Sequence, residues 1–327
     1  MKESPLFWPA VLKNDGLNVL DETLIPEKIR YIRVKNVDGA VKVIREMKTR
    51  AFGQFLVVLN AFLLEIRLMD QKQLSEAKKL ARIQEVAQKL NKSRPTFPFS
   101  EVTGIVARWA VMAIDSKLKI SPFVKRNTEG YLESIRGKRL DRVNRIAAII
   151  QDQDRILTHC NVSGELAMAA AICKTDKKNV SIFATETRPY FQGAKLTAWE
   201  LGLLGADVTL VADNAVAALM ADGKVNKVIV GSDRSCANGD FANKIGTYQI
   251  AVLARQFGIP FHVLTQPSDK IRSLRDIPVE IRHKDELLKF EGRKTIRGKC
   301  GAFYPGFDVI PHDLITSAIA IGVKENE

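Results

Sequence analysis

Along the first 150 residues, apolar positions recur every three to four places. The spacing runs through DGAVKVIREMKTRAFGQFLVVLNAFLLEIRLM (38–69), KQLSEAKKLARIQEVAQKL (72–90), EVTGIVARWAVMAI (101–114) and EGYLESIRGKRLDRVNRIAAII (129–150). It gathers the apolar side chains on one helical face and predicts helices, after a short extended start. Pro95 and Pro98 end the second long helix and leave Arg94 in a loop, because proline disfavours helical backbone at the residue before it. The longest apolar run, FLVVLNAFLLEI (55–66), is interrupted by Asn60 and Glu65. It is too short for a membrane span and reads as a buried helix.

After Asp154 the period changes. Short apolar runs alternate with helical stretches: RILTHC then GELAMAAAICK; VSIFATE then GAKLTAWELGLLG; DVTLVAD then AVAALMADG; KVIVGSD then ANKIGTYQIAVLARQFG; and finally PFHVLT (260–265). Strand–helix alternation of this kind predicts a doubly wound parallel sheet. The fold class is therefore α/β: a mainly helical N-terminal domain over 1–150, then a Rossmann-like domain over 151–327. No GxGxxG or Walker lysine loop follows any strand, so a dinucleotide or nucleoside triphosphate is not favoured.

Composition narrows the class. A chain of 327 residues, 46% hydrophobic and 27% charged, has room for two cores and reads as an ordinary soluble protein. No continuous apolar region follows the basic start, so no secretory leader is expected. The four cysteines form no CxxC pair, and no His stands at ligand spacing from another His or Cys. Neither a disulfide framework nor a zinc site is expected, and a reducing cytoplasm fits best. The net charge of +13 sits largely in helical segments such as 71–94 and 138–145, with no basic run interleaved with aromatics. Solvated helix faces and anionic small molecules account for it better than nucleic acid does.

Strand ends are where an open parallel sheet builds its ligand site. Cys160 closes the first strand and is followed by Asn161, Ser163 and Gly164 at a helix start, an environment that favours a thiolate. A buried structural cysteine is the competing reading. Asp233 follows the strand KVIV, where a helix cap and a site acid read alike. NGDFANKIGT (238–247) concentrates Asn238, Asp240, Asn243 and Lys244 around a glycine turn opening a helix, suited to an anion. In ETRPYFQGAKLTAWEL (186–201), Pro189 and Gly193 set a loop that aims Gln192 at a ligand, while Glu186 and Arg188 read as a structural ion pair. His159 should point to the other face of its strand and is read as structural. His283 and His312 read as cap or surface residues.

THCN (158–161), ETRPYFQGAKLTAWEL and GSDRSCANGDFANKIGT (231–247) closely resemble the methylthioribose-1-phosphate isomerase family. These sugar-phosphate isomerases are related to regulatory subunits of the exchange factor for eukaryotic initiation factor 2. The resemblance covers nearly the whole chain, the tail YPGFDVIPHDLIT (304–316) included. It implies that Cys160 acts on the sugar. It also implies that Asp233 is the catalytic Asp of a G-A-D-R pattern, with Ser232 in place of Ala. Gln192, Asn243 and Lys244 would hold substrate, and Arg94, in the S-R-P match, the phosphate.

Arg50 lies in MKTRAFGQF, where the family reads M-x-x-R-G-A-P-A-I-G. The Gly and Pro are absent, and Phe52 and Gln54 stand nearby. The interval from Cys160 to Gln192 is shorter than usual, and LTQPSDKIRS (264–273) replaces P-x-S-T-I-D. Phe52 and Phe55 read either as the lining of an uncharged C5 pocket or as part of a buried helix face. The implied activity is aldose–ketose isomerisation of a 5-substituted ribose 1-phosphate, by a homodimer without metal or redox cofactor. Two alternatives are a ribose-1,5-bisphosphate isomerase and a non-catalytic initiation-factor-2B-like regulatory subunit. The opening LNVLDETLIPEKIRYIRV (17–34) argues against the first, and the presence of both Cys160 and Asp233 argues against the second.

Overall fold

The computed structural model describes residues 2–322 except 96, 267–270, 278 and 291. The altered stretch 264–273 therefore lies partly outside the described residues. The chain forms two compact units, Pro5–Lys138 and Arg139–Glu327, with Met1–Ser4 belonging to the latter.

In the Pro5–Lys138 unit, an antiparallel meander of β1 (Ala10–Lys13), β2 (Gly16–Leu20) and β3 (Tyr31–Val34) supplies the extended start. The helices that follow are α1 (Val37–Arg45), α2 (Ala51–Gln71), α3 (Glu76–Asn91), α4 (Phe99–Asp115) and α5 (Ile120–Ile149), and the division between the units falls inside α5. The helical period over 38–69 thus belongs to two helices. The chain breaks at Met47, which turns with φ 52°. The break is held by buried Glu22, whose carboxylate accepts the Thr49 hydroxyl and, at 3.1 Å, the Arg50 N–H. Burial pushes the Glu22 carboxyl above its usual pKa.

α2 is long and apolar enough to cross a membrane by length and composition, yet 78% of its apolar window is buried within the protein. Leu56, Val57, Leu59 and Phe62 are fully buried in the core, each worth roughly 1.5–3 kcal/mol for an aliphatic or Phe side chain removed from water. Its polar interruptions are partly satisfied: Asn60 donates to the Leu56 carbonyl at 2.8 Å, and Glu65 accepts from Arg82 at 2.6 Å through Oε1, while its buried Oε2 has no partner among the described residues.

The Arg139–Glu327 unit contains β4 (Arg155–Thr158), β5 (Ser181–Thr185), β6 (Asp207–Val211), β7 (Lys227–Gly231), β8 (Arg234–Ser235), β9 (Phe241–Lys244), β10 (Phe261–Thr265), β11 (Lys289–Phe290), β12 (Arg293–Lys294), β13 (Phe307–Ile310) and β14 (Ser317–Ala320). Its helices are α6 (Glu165–Thr175), a π-helical turn Gly193–Ala198 running into α7 (Trp199–Leu203), α8 (Val216–Ala221), α9 (Thr247–Gln256) and α10 (Asp285–Leu288). Six strands form a sheet in the order β14-β10-β7-β4-β5-β6, with every neighbouring pair parallel. The chain winds outward from β4 to β6, then returns to β7 on the other side of β4. That reversal makes the C-terminal ends of β4 and β7 the topological switch point, the place where such sheets bind ligands.

Two elements depart from the sequence reading. The predicted helix over 242–258 starts only at Thr247, because Phe241–Lys244 is a buried strand paired antiparallel with β8 and β13. The parallel edge strand β14 lies beyond the alternating segments and is recruited by pairing with β10.

Candidate active site

Cys160 and Asp233 follow β4 and β7, the two strands that flank the switch point. Cys160 sits in a left-handed turn at φ 62°. Its N–H donates to the Thr187 hydroxyl at 3.0 Å, and its carbonyl accepts the Thr197 hydroxyl. The loop beyond it is held by Glu200, which accepts from the Asn161 amide at 2.7 Å, from the Gly164 N–H at 3.3 Å and from the Ser4 hydroxyl at 2.6 Å. α6 then begins at Glu165, with Gly164 as its cap. A buried carboxylate there binds two arginines of α5: Arg142 at 2.6 and 2.8 Å, and Arg139 at 3.0 Å. Burial lowers the Arg139 guanidinium to about 10, against the pull of Glu165.

His159 is buried between the Thr185 hydroxyl at 2.6 Å and the Ile245 carbonyl at 2.8 Å. Burial drives its pKa down, so the neutral ring clasps the end of β4 to the segment after β9. Its role is structural, as its place beside Cys160 on the strand suggests. Gly246 lets the backbone come this close. A Cβ there would stand 3.0 Å from the ring of His159, and the residue adopts φ 104°.

The loop after β5 brings Gln192 inward. Asp213 accepts the N–H groups of Thr187 and Arg188, both at 2.7 Å. Gly193 is required by contact: a Cβ would meet the Thr185 carbonyl oxygen at 1.7 Å. Gln192 is buried, and its amide oxygen has no hydrogen-bond partner among the described residues. No ion pair joins Glu186 to Arg188 among the described residues. The Arg188 guanidinium instead lies over Phe191 at 5.1 Å and Phe290 at 5.4 Å, a cation–π arrangement.

Asp233 is tied to the neighbouring hairpin by its N–H, which donates to the Ala242 carbonyl at 2.8 Å. Asn243 and Lys244 are buried on β9 rather than in a turn opening a helix. Asn243 donates to Thr247 at 3.0 Å. The Lys244 ammonium donates to the Gly306 carbonyl at 3.1 Å and lies 4.9 Å from the Phe307 ring and 5.6 Å from the Tyr190 ring. Asn238 and Asp240 turn out to be structural. Asp240 accepts from Asn238 at 2.7 Å and from the His312 N–H at 2.9 Å, with the His312 ring at 2.8 Å. Among the described residues no group of three or more His, Cys, Asp or Glu could hold a metal ion.

Arg50 and Arg94 belong to the Pro5–Lys138 unit; Arg50 is the N-cap residue of α2, and Arg94 reaches Gln54 in its first turn. Arg94 donates to the Gln54 side-chain oxygen at 2.9 Å and stacks on Phe97 at 5.0 Å, while the Gln54 amide donates to the Thr49 carbonyl at 2.9 Å. The residue that departs from the family pattern thus holds Arg94 in place. Residues 51–55 are helical, and Phe52 packs on Trp8 at 5.7 Å and on Phe55 at 6.1 Å, against the core. This favours the buried-face reading of these rings. Within the Arg139–Glu327 unit, Arg282 donates to the Tyr190 hydroxyl, the Tyr190 ring lies against the Lys244 ammonium, and Tyr304 stands two residues before the Gly306 carbonyl that receives Lys244. Tyr190 and Tyr304 fall inside segments that carry the resemblance, but their residue type signalled no chemistry there, and Arg282 lies in no quoted segment.

A model of the Initiation factor 2 subunit family matches residues 53–323. A methylthioribose-1-phosphate isomerase of Desulforudis audaxviator is 38% identical, over 98% of this chain and 93% of its own length. A 5-deoxyribose 1-phosphate isomerase of Moorella thermoacetica is 34% identical, over 97% and 92%. The crystal structure of 5-methylthioribose 1-phosphate isomerase from Pyrococcus horikoshii OT3 superposes with a TM-score of 0.82 at 28% identity, covering 95% of this chain and 90% of that one.

Proposed function

The chain belongs to the Initiation factor 2 subunit family, and from that premise we propose that it is a sugar-phosphate isomerase. Its substrate would be a 5-substituted ribose 1-phosphate, 5-methylthioribose 1-phosphate or 5-deoxyribose 1-phosphate, and its product the ribulose 1-phosphate. The observation that carries this reading is the placement of Cys160 and Asp233 after the two strands of the switch point, with Gln192, Asn243 and Lys244 buried in the same unit.

The chemistry explains why such groups are needed. The anomeric oxygen is esterified, so no free aldehyde forms by simple ring opening. Asp233 protonates the ring oxygen as the bond from C1 to that oxygen breaks. Hydrogen leaves C2 and arrives at C1, and Cys160 serves that transfer. The C2 hydroxyl becomes a carbonyl, and its proton returns to the Asp233 carboxylate. Gln192 and Asn243 hold hydroxyl groups. Lys244 supplies a cation for the phosphate, and the family resemblance assigns Arg94 and Arg50 to substrate as well.

The test is a panel of pentose 1-phosphates differing only at C5, with detection of the ketose. 5-Methylthioribose or 5-deoxyribose 1-phosphate should show the higher kcat/KM. A preference for ribose 1,5-bisphosphate moves the chain to the bisphosphate branch, and binding without turnover moves it to the regulatory one. Arg94→Ala and Lys244→Ala should each raise KM about tenfold or more, since a charged hydrogen bond is worth ~1.5–3 kcal/mol. Unchanged KM in both counts against the phosphate assignment.

The setting we propose is a homodimer in a reducing cytoplasm. The exposed apolar side chains of Tyr248 and Val252 on α9 support the first, and free cysteines the second. Light scattering that shows only monomer at micromolar concentration refutes the dimer.

A further inference from the structure

Tyr304 stands two residues before Gly306, whose carbonyl receives Lys244. Its side chain is 4% exposed. Its hydroxyl is buried and has no hydrogen-bond partner among the described residues. Folded proteins leave few buried hydroxyls in that condition, because water is lost without replacement. An orphan of this kind marks a place where a ligand supplies the missing partner.

Its surroundings point to the same ligand. Burial raises the Tyr304 phenol above its ordinary pKa, and Tyr190, Glu286, Arg282 and Cys160 are the groups that act on it electrostatically. The phenol stays protonated at neutral pH, so it can donate. Arg282 fixes the wall behind it, donating to the Tyr190 hydroxyl at 2.5 Å and to Glu286 at 2.6 Å. The Tyr190 ring in turn lies beneath the Lys244 ammonium. The same unit holds further buried polar atoms without a hydrogen-bond partner among the described residues, the Thr158 and Thr265 hydroxyls and the Gln192 amide oxygen, and the last can only accept. The Tyr304 hydroxyl as donor and the Gln192 oxygen as acceptor suit a polyhydroxylated ligand whose oxygens both give and receive protons.

We propose that Tyr304 is a substrate-binding residue whose hydroxyl donates a hydrogen bond to the C2 oxygen of the sugar; this rests on the isomerase reading above. The C2 oxygen is the appropriate partner by its chemistry. It begins as a hydroxyl and ends as a carbonyl, which can only accept. A donor aimed at it therefore binds more strongly as hydrogen leaves C2, and lowers the barrier more than it tightens substrate binding.

The test is Tyr304→Phe, which deletes one oxygen and no protein–protein hydrogen bond among the described residues. Steady-state kinetics on 5-methylthioribose 1-phosphate and 5-deoxyribose 1-phosphate should show kcat/KM reduced about tenfold or more, mainly through kcat. The melting temperature of the unliganded variant should be unchanged or raised, because a buried unsatisfied hydroxyl has gone. A kcat/KM within about twofold of wild type, a loss confined to KM, or a lowered melting temperature overturns the inference. Wild-type protein without turnover on any pentose 1-phosphate overturns the functional reading and this inference with it. Wild-type turnover with an indifferent Tyr304→Phe variant overturns this inference alone.

Discussion

Cys160→Ser is expected to lower turnover by about 10²–10⁴-fold while the folded structure persists. The substitution preserves the size of the side chain. It also preserves both backbone hydrogen bonds of the turn, from the Cys160 N–H to Thr187 and from Thr197 to the Cys160 carbonyl. What it removes is acidity: a hydroxyl is far harder to ionise than a thiol and far weaker at moving hydrogen between adjacent carbons. Asp233→Asn should have a comparable effect, because an amide cannot protonate the ring oxygen, while the N–H bond to Ala242 remains. Circular dichroism and melting curves establish that each variant is folded, and ketose formation measures the loss. Near-wild-type rates in either variant on a substrate the wild type turns over would remove that residue from the mechanism.

Glu165→Ala is expected to cost about 3–5 kcal/mol of folding stability, the range for stranding buried charge. Glu165, Arg139 and Arg142 are all buried. Arg142 binds the carboxylate through two nitrogens and spends a third on the Thr265 carbonyl at 2.7 Å, while Arg139 also donates to the Ser163 carbonyl at 2.7 Å. Two guanidiniums thus face one carboxylate. Removing it leaves two buried cations without their shared carboxylate, and burial, with a smaller contribution from Arg142, already lowers the Arg139 guanidinium. Urea denaturation checks the magnitude. A loss below ~1 kcal/mol would mean that water or another acid compensates both arginines. Because the cluster braces the loop that follows Cys160, the destabilised variant should also lose activity at temperatures where it remains folded.

The alternation of apolar runs with helical periods made the second unit legible in the chain. Five of the six parallel strands lie within the runs that sequence alone delimits, and Cys160 and Asp233 fall at strand ends for that reason. The strand order is not written in any local pattern, so the return from β6 to β7 emerges only from the pairing. DFANK was misread for a physical reason. Its short, mixed composition has little preference of its own, and the register against Phe307–Ile310 decides it as strand. The break between α1 and α2 was likewise hidden, because it depends on Glu22, far away in sequence, reaching Thr49 and Arg50. Tyr304 opens the tail YPGFDVIPHDLIT, yet it follows no predicted strand end and was not among the candidate site residues. Its interest lies in a hydroxyl without a partner among the described residues, which no sequence pattern reports.

The turns around the thiol are left-handed at residues other than glycine: Cys160 at φ 62°, Ser163 at 51°, Thr187 at 62° and Phe191 at 57°. Such backbone is costly at roughly 1–2 kcal/mol per residue. Glycine would relieve it at any of these positions. Yet Thr187→Gly would delete the hydroxyl that receives the Cys160 N–H, and a glycine at 160 would delete the thiol itself. Thermostability screening of this protein should therefore meet a trade-off concentrated in two loops. Variants selected there for heat resistance alone would be recovered as sturdier and slower enzymes, whereas gains made on the solvent faces of the helices would come without that penalty.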